Sequence, residues 1–216
     1  MDPETNKRDD ESRAQAADTA SVRMVGICGS LAAGGATRKV VSLALSGASE
    51  YGVTTKLIDL RDYELVFCGQ VAEKDYPEDV FKLRREVGEA QGIILGTPEY
   101  YGTLSGVLKN ALDLMGPDQF EGKVVGLVGV AGGHTGAINS LNTMRTIGRN
   151  LHSWVIPQEV SVADVGEAFE EDGTLKDPGL DQRLRDLGKV VARLSILQQR
   201  IRQDEFMQLW EGLPRW

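Results

Sequence analysis

Apolar and polar positions along this chain switch repeatedly between two periods. Short runs rich in Val, Ile and Leu read as strands: Val22 to Cys28, Thr54 to Leu60, Gly92 to Thr97, Lys123 to Ala131 and Trp154 to Val162. Between them, apolar residues recur three and four positions apart. That spacing predicts helices over Thr37 to Tyr51, closed by Gly52, and over a stretch opened by Pro77 with Val80, Phe81, Leu83, Val87 and Ala90 on its apolar face. Further helices are predicted from Leu104 to Met115 and through Ile138, Leu141, Met144, Ile147 and Leu151. An acidic connection, Gly166 to Pro178, leads to a long last helix from Leu180 to Leu209. The third and fourth strands are apolar almost throughout, as in strands covered on both faces, and Pro157 marks the fifth as an edge.

Five strand–helix units predict an α/β fold of three layers, a five-stranded parallel sheet with helices on both faces. In a doubly wound order of 2-1-3-4-5, the loops after the first, third and fourth strands meet where ligands bind such sheets. Those loops are Gly29 to Thr37, Thr97 to Gly102 and Ala131 to Gly136, and all three are rich in Gly or Pro. Residues 1–21 hold no aromatic, Val, Ile or Leu, which predicts a disordered tail ahead of a domain at 22–178. Leu180, Leu184, Leu187, Val191, Leu194, Leu197 and Ile201 fall near heptad spacing in the region 179–216. This last helix either covers its own sheet or dimerises; its length and the trailing Phe206, Met207, Leu209, Trp210, Leu213 and Trp216 point to a subunit contact.

The first loop, Gly-Ser-Leu-Ala-Ala-Gly-Gly-Ala-Thr-Arg-Lys from Gly29, joins a strand to a helix start, where unpaired N–H groups and the helix dipole favour an anion. It is no nucleotide-triphosphate loop, because Gly34 is followed by Gly35 and Ala36 rather than Lys and Ser or Thr. It is no dinucleotide fingerprint either, since Leu31 stands where the second Gly belongs. What fits is one terminal phosphate on the hydroxyls of Ser30 and Thr37 and on backbone N–H groups around Gly35 and Ala36.

A net charge of -8 argues against a nucleic-acid partner. No apolar run approaches a membrane span and the first residues lack a signal-like segment, so the expected location is the cytoplasm. Cys28 and Cys68 have no metal-ligand spacing and are expected to be core residues; no metal is expected.

The second loop is more specific. Thr97-Pro98-Glu99-Tyr100-Tyr101-Gly102-Thr103-Leu104-Ser105-Gly106-Val107-Leu108-Lys109-Asn110-Ala111-Leu112-Asp113 closely resembles the P-E-Y-N-G-x-x-P-G-x-L-K-N-x-x-D segment of the NADPH-dependent FMN reductase family. With the Gly-Ser-Leu start of the first loop, the resemblance extends over residues 23 to about 163. It implies a flavodoxin-like fold and an FMN-dependent NAD(P)H oxidoreductase. FMN would take hydride from NADPH or NADH and pass it to a small acceptor such as free flavin or a quinone. The alternative is a flavodoxin-like electron carrier without nicotinamide turnover.

The resemblance further implies that Ser30 and Thr37 bind the phosphate, with Gly35 and Ala36 beside them. Thr97, Pro98, Glu99, Tyr100, Tyr101 and Gly102 would line the ring system, and Gly132, Gly133 and His134 would offer N–H groups to its pyrimidine edge. No catalytic side chain is implied. The family's dimers and tetramers imply a homo-oligomer. Members often have Arg where Ala32 stands, Ser for Gly35, Asn for Tyr101 and Pro for Ser105. Without that Arg, a charge-assisted contact of roughly 1.5–3 kcal/mol is missing. Arg38 is either its substitute or a solvated helix charge.

Overall fold

The computed structural model describes residues 21–201. Its sheet runs in the order β2-β1-β3-β5-β6, with all four pairings parallel. The strands are β1 (Arg23–Cys28), β2 (Thr54–Asp59), β3 (Gly92–Tyr100), β5 (Val124–Val130) and β6 (Trp154–Val162). A two-residue strand, β4 (Thr103–Leu104), pairs antiparallel with the end of β3. Counting only the five long strands, this is the predicted order 2-1-3-4-5. Apolar residues at nearly every position of β1, β3 and β5 follow from their central places, since both faces of each strand are covered. Pro157 lies in the edge strand β6, beside a register shift between Val125 and Leu127 of its neighbour.

Helices α1 (Ala36–Ser49) and α6 (Pro178–Ile201) cover one face of the sheet. The other face carries α2 (Glu78–Gly88), α3 (Gly106–Asp113), the single turn α4 (Pro117–Phe120) and α5 (Ile138–Asn150). Sheet glycines set how closely α1 lies. A Cβ at Gly96 would stand 2.2 Å from Val41 Cγ2, and one at Gly26 would stand 2.5 Å from Val41 Cγ1. The helix therefore rests on the backbone of β1 and β3, with its first turn over the ends of those strands.

Some expectations need correction. The second loop is largely strand: β3 continues to Tyr100, turns through Tyr101 (φ 51°) and Gly102 (φ 80°), and returns as β4. Two successive left-handed residues are the two-residue hairpin connection whose twist matches the strands it joins. Helix α3 accordingly starts at Gly106 rather than Leu104. Cys28 is buried, and burial pushes its thiol pKa up, but Cys68 is an exposed loop residue and not part of the core. In α6, Leu184, Leu187, Val191, Ala192, Ser195 and Ile196 are buried, whereas Leu194 and Leu197 are exposed. The buried stripe follows the ordinary helical period and packs on α1 and the sheet, so it is not a heptad seam. The tail predicted at residues 1–21 falls outside the described residues except for Ser21, as does everything predicted beyond Ile201. Among the described residues no helix is long and apolar enough to cross a membrane.

The α1–α6 contact is nearly backbone to backbone. A Cβ at Gly188 would come within 1.8 Å of the Ala44 carbonyl oxygen, and one at Gly47 within 2.1 Å of the Arg185 carbonyl oxygen. Helix propensity alone favours Ala over Gly by about 1 kcal/mol. Overpacking against a rigid backbone costs about 1–3 kcal/mol or more, so the clash decides the sign. Gly188→Ala is expected to lower the urea midpoint of unfolding. Gly88→Ala, at the end of α2 where an added Cβ meets nothing within 4 Å, is expected to leave it unchanged or raise it.

Candidate cofactor site

The register of the sheet brings three strand ends together. Cys28 is level with Gly96, and Pro98 with Val130, so the segments after β1, β3 and β5 leave the sheet side by side. Gly29 N–H continues the ladder to the Gly96 carbonyl at 2.8 Å. A Cβ at Gly29 would sit 2.6 Å from Leu108 Cβ, so only glycine lets the first loop pass this close to α3.

The first loop then closes on itself. Gly35 N–H donates to the Ala32 carbonyl at 3.0 Å, and the Gly35 carbonyl accepts from Arg38 N–H at 3.1 Å. Gly35 N–H is thus engaged within the loop. A side chain there would press on Ala32, whose oxygen and Cβ lie 3.0 and 3.1 Å from the position of an added Cβ. The N–H groups of Ala36 and Thr37 open α1 without a side-chain cap and have no intrahelical acceptor. Among the described residues, none accepts from the loop N–H groups of Leu31, Ala33 or Gly34. Ser30 Oγ accepts from Ala32 N–H at 3.3 Å, which leaves its own hydrogen to donate, and no described group engages the Thr37 hydroxyl. This donor cluster at a helix start fits a phosphate. Arg38, in the first turn of α1, turns to Asp59 at the end of β2, Nε to Oδ2 3.3 Å.

The hairpin forms the middle of the site. Thr97 is fully buried, and its Oγ1 both donates to the Pro98 carbonyl at 2.9 Å and accepts from Ser105 N–H at 3.0 Å. Thr97 and the buried Pro98 therefore shape the wall from within, and Thr97 offers no free donor to a ligand. Ser105 caps α3 by accepting from Leu108 N–H at 3.1 Å, while its hydroxyl donates to the Gly29 carbonyl at 2.5 Å. One side chain thus ties the first loop, the hairpin and α3 together. Glu99 reaches the other way, and its carboxylate accepts from Ser140 N–H (2.9 Å) in the first turn of α5. A carboxylate at that position satisfies an unpaired N–H and meets the positive end of the helix dipole. Tyr100 is half exposed on the hairpin, and Tyr101 is fully exposed at the turn.

The third segment, Ala131 to Gly136, is pinned at both ends. Ala131 N–H bonds to the Val162 carbonyl at 2.9 Å, and Ala137 N–H to Ser161 Oγ at 2.8 Å. Between them, Gly132, Gly133 and His134 are exposed, and no described residue accepts from their N–H groups. The His134 ring leans toward the edge of the sheet, where Nδ1 lies 2.5 Å from Asp164 Oδ2, so the imidazole clasps the loop after β6. Its backbone, not its ring, stays with the other donors.

Two links that build the site escaped the sequence reading, those of Ser105 and Glu99. Ser105 stands three residues before Leu108 at the start of an apolar run, which is an N-cap signal. Nothing local marks Glu99 as the partner of Ser140, 41 residues away. The remainder of the motif is scaffold. Asn110 accepts from Cys68 N–H (3.0 Å) and donates to the Val66 carbonyl (2.9 Å), and Lys109 pairs with Asp113 at 2.6 Å. Ser105→Ala removes a cap worth about 0.5–2 kcal/mol and leaves the buried Gly29 carbonyl without its partner, so a loss of about 1–3 kcal/mol is expected in urea unfolding.

The chain is similar to proteins already known. Residues 22–167 match the model of the family described as NADPH-dependent FMN reductase. Among curated proteins, an NAD(P)H-dependent FAD/FMN reductase of Geobacillus thermodenitrificans is 30% identical over 142 residues, 66% of this chain and 76% of the relative. An NADPH azoreductase of Bacillus sp. (strain OY1-2) is 41% identical over 106 residues; the match spans 49% of this chain and 59% of that protein. In fold, a flavoenzyme NAD(P)H:(acceptor) oxidoreductase from Paracoccus denitrificans superposes with a TM-score of 0.65 at 20% identity, covering 81% of this chain and 97% of the other. The parallel sheet, the three converging loops and the match over residues 22–167 lead to one conclusion: this chain belongs to the NADPH-dependent FMN reductase family.

Proposed function

We propose that the chain holds FMN across its three loops and uses it to reduce a small planar acceptor, such as an azo compound, a quinone or free flavin, at the expense of NADPH or NADH. The observation that carries this reading is the pair of N–H clusters, at Ala36 and Thr37 and at Gly132 to His134, on either side of the exposed Tyr100. When bound, FMN supplies the hydride chemistry, and the protein supplies position and charge. Ser30 Oγ, Thr37 Oγ1 and the N–H groups of Ala36 and Thr37 donate to the phosphate, aided by the dipole of α1. Gly132 and Gly133 donate to the pyrimidine edge, where such dipoles favour negative charge. Pro98 and Tyr100 form the wall beside the ring, with Glu99 holding the hairpin to α5. The reaction assigns no acid or base to a side chain. Cytoplasmic location and a homo-oligomer belong to the same proposal. The electron-carrier alternative is not favoured, because the curated relatives are named as reductases.

Anaerobic addition of NADPH or NADH to the FMN-loaded protein is expected to bleach its visible absorbance. A colourless protein that ignores added FMN would overturn the reading, and a coloured one that neither nucleotide bleaches would return the carrier to favour. The phosphate assignment has its own test in FMN affinity, followed by quenching of flavin fluorescence. Thr37→Val is expected to weaken binding about three- to tenfold, the scale of one hydrogen bond. Ala32→Arg is expected to strengthen it about tenfold or more, by adding a charge-assisted contact.

A further inference from the structure

We infer that Tyr101, together with Ile138, forms the acceptor-facing rim of the site and selects planar aromatic acceptors. This rests on the reading of the site as an FMN site. Tyr101 sits at φ 51° in the hairpin turn, a conformation that disfavours side chains with a Cβ and that Gly or Asn adopts at lower cost. A large aromatic at such a position is local strain held at the edge of a ligand site. The residue as a whole is 108% exposed, against 53% for Tyr100 beside it. A residue that backs a bound cofactor has one face on the protein, as half-exposed Tyr100 does. Among the described residues nothing buries Tyr101, which leaves its side chain open to a ligand.

The start of α5 is held beside the hairpin. Ile138, the first residue of α5, is 50% exposed. The hairpin and that turn of α5 are locked together by Glu99 accepting from Ser140 N–H, and Asn139 Nδ2 lies 3.9 Å from where a Cβ on Gly102 would be. The Glu99 carboxylate is turned to α5 and bonded there. The rim therefore presents an aromatic face and an aliphatic group, a surface suited to a flat, weakly charged ring system. Asn at this position would keep the turn but provide no ring.

Binding without turnover tests this assignment. FMN-loaded, oxidised protein is titrated by calorimetry with 4-phenylazobenzoate in the absence of nicotinamide nucleotide. Tyr101→Asn is expected to raise the Kd about five- to tenfold, the scale of one aromatic contact, and Tyr101→Phe to keep it within about twofold. Ile138→Ala is expected to raise it about two- to threefold. In turnover, the Tyr101→Asn loss for 4-phenylazobenzoate is expected to exceed any loss for ferricyanide, which has no ring to stack, by at least fivefold. Equal losses for both acceptors, a matching loss of FMN affinity, or dissociation of an oligomer on Tyr101→Asn would each overturn the assignment, placing the ring on the cofactor or in a subunit contact. An unchanged Kd would do the same. Failure of the wild-type protein to bind FMN is read separately, from its spectrum, and would overturn the parent reading.

Discussion

The hydroxyl of Ser105 is the constraint on which the site depends. It donates to the carbonyl of Gly29 and accepts from Leu108 N–H, so a single buried oxygen fixes the exit of β1, the return of the hairpin and the start of α3. Thr97 works from the other side, taking Ser105 N–H on its own oxygen. Buried polar groups of this kind are costly unless every partner is present, which makes the arrangement discriminating as well as stabilising. The loop that presents donors at Ala36 and Thr37 cannot move away from the hairpin without breaking it.

Around that knot the protein relies on close backbone approach. Gly26 and Gly96 let α1 lie directly on β1 and β3, Gly29 clears Leu108, and Gly47 and Gly188 bring α1 against α6. The position of the first turn of α1, and so of the N–H groups that fit a phosphate, follows from glycines that never touch a ligand. On the opposite face Glu99 does comparable work by receiving the start of α5. The side chains that build the site are largely distinct from the groups that would bind, and those groups are mostly backbone.

This division bears on three residues of the chain. The Ser105 hydroxyl supplies a link that Pro, having no hydroxyl, would not make. With Ala32 in the first loop and Arg38 paired with Asp59, that loop offers hydrogen-bond donors rather than the Arg38 cation. Tyr101 takes up the left-handed turn and puts a side chain on the solvent side.

The amino-acid sequence by itself determined the alternation of strands and helices, the strand order, the convergence of three loops and, through Thr97 to Asp113, the family. These follow from local periodicity and from topological rules with few alternatives. It also placed Pro157 at an edge and paired Lys109 with Asp113, both short-range consequences of residue type. Only the tertiary structure decided that Thr97 to Gly102 is a hairpin, that Gly35 is engaged within its own loop, that Glu99 serves α5 and that His134 turns to Asp164. Each depends on a partner supplied by a distant element or by the exact path of a turn, and no local pattern encodes it. The heptad-like spacing of α6 left open what the helix covers for the same reason. Spacing reports which residues share a stripe, but what the stripe meets is fixed by packing, here α1 and the sheet of the same chain.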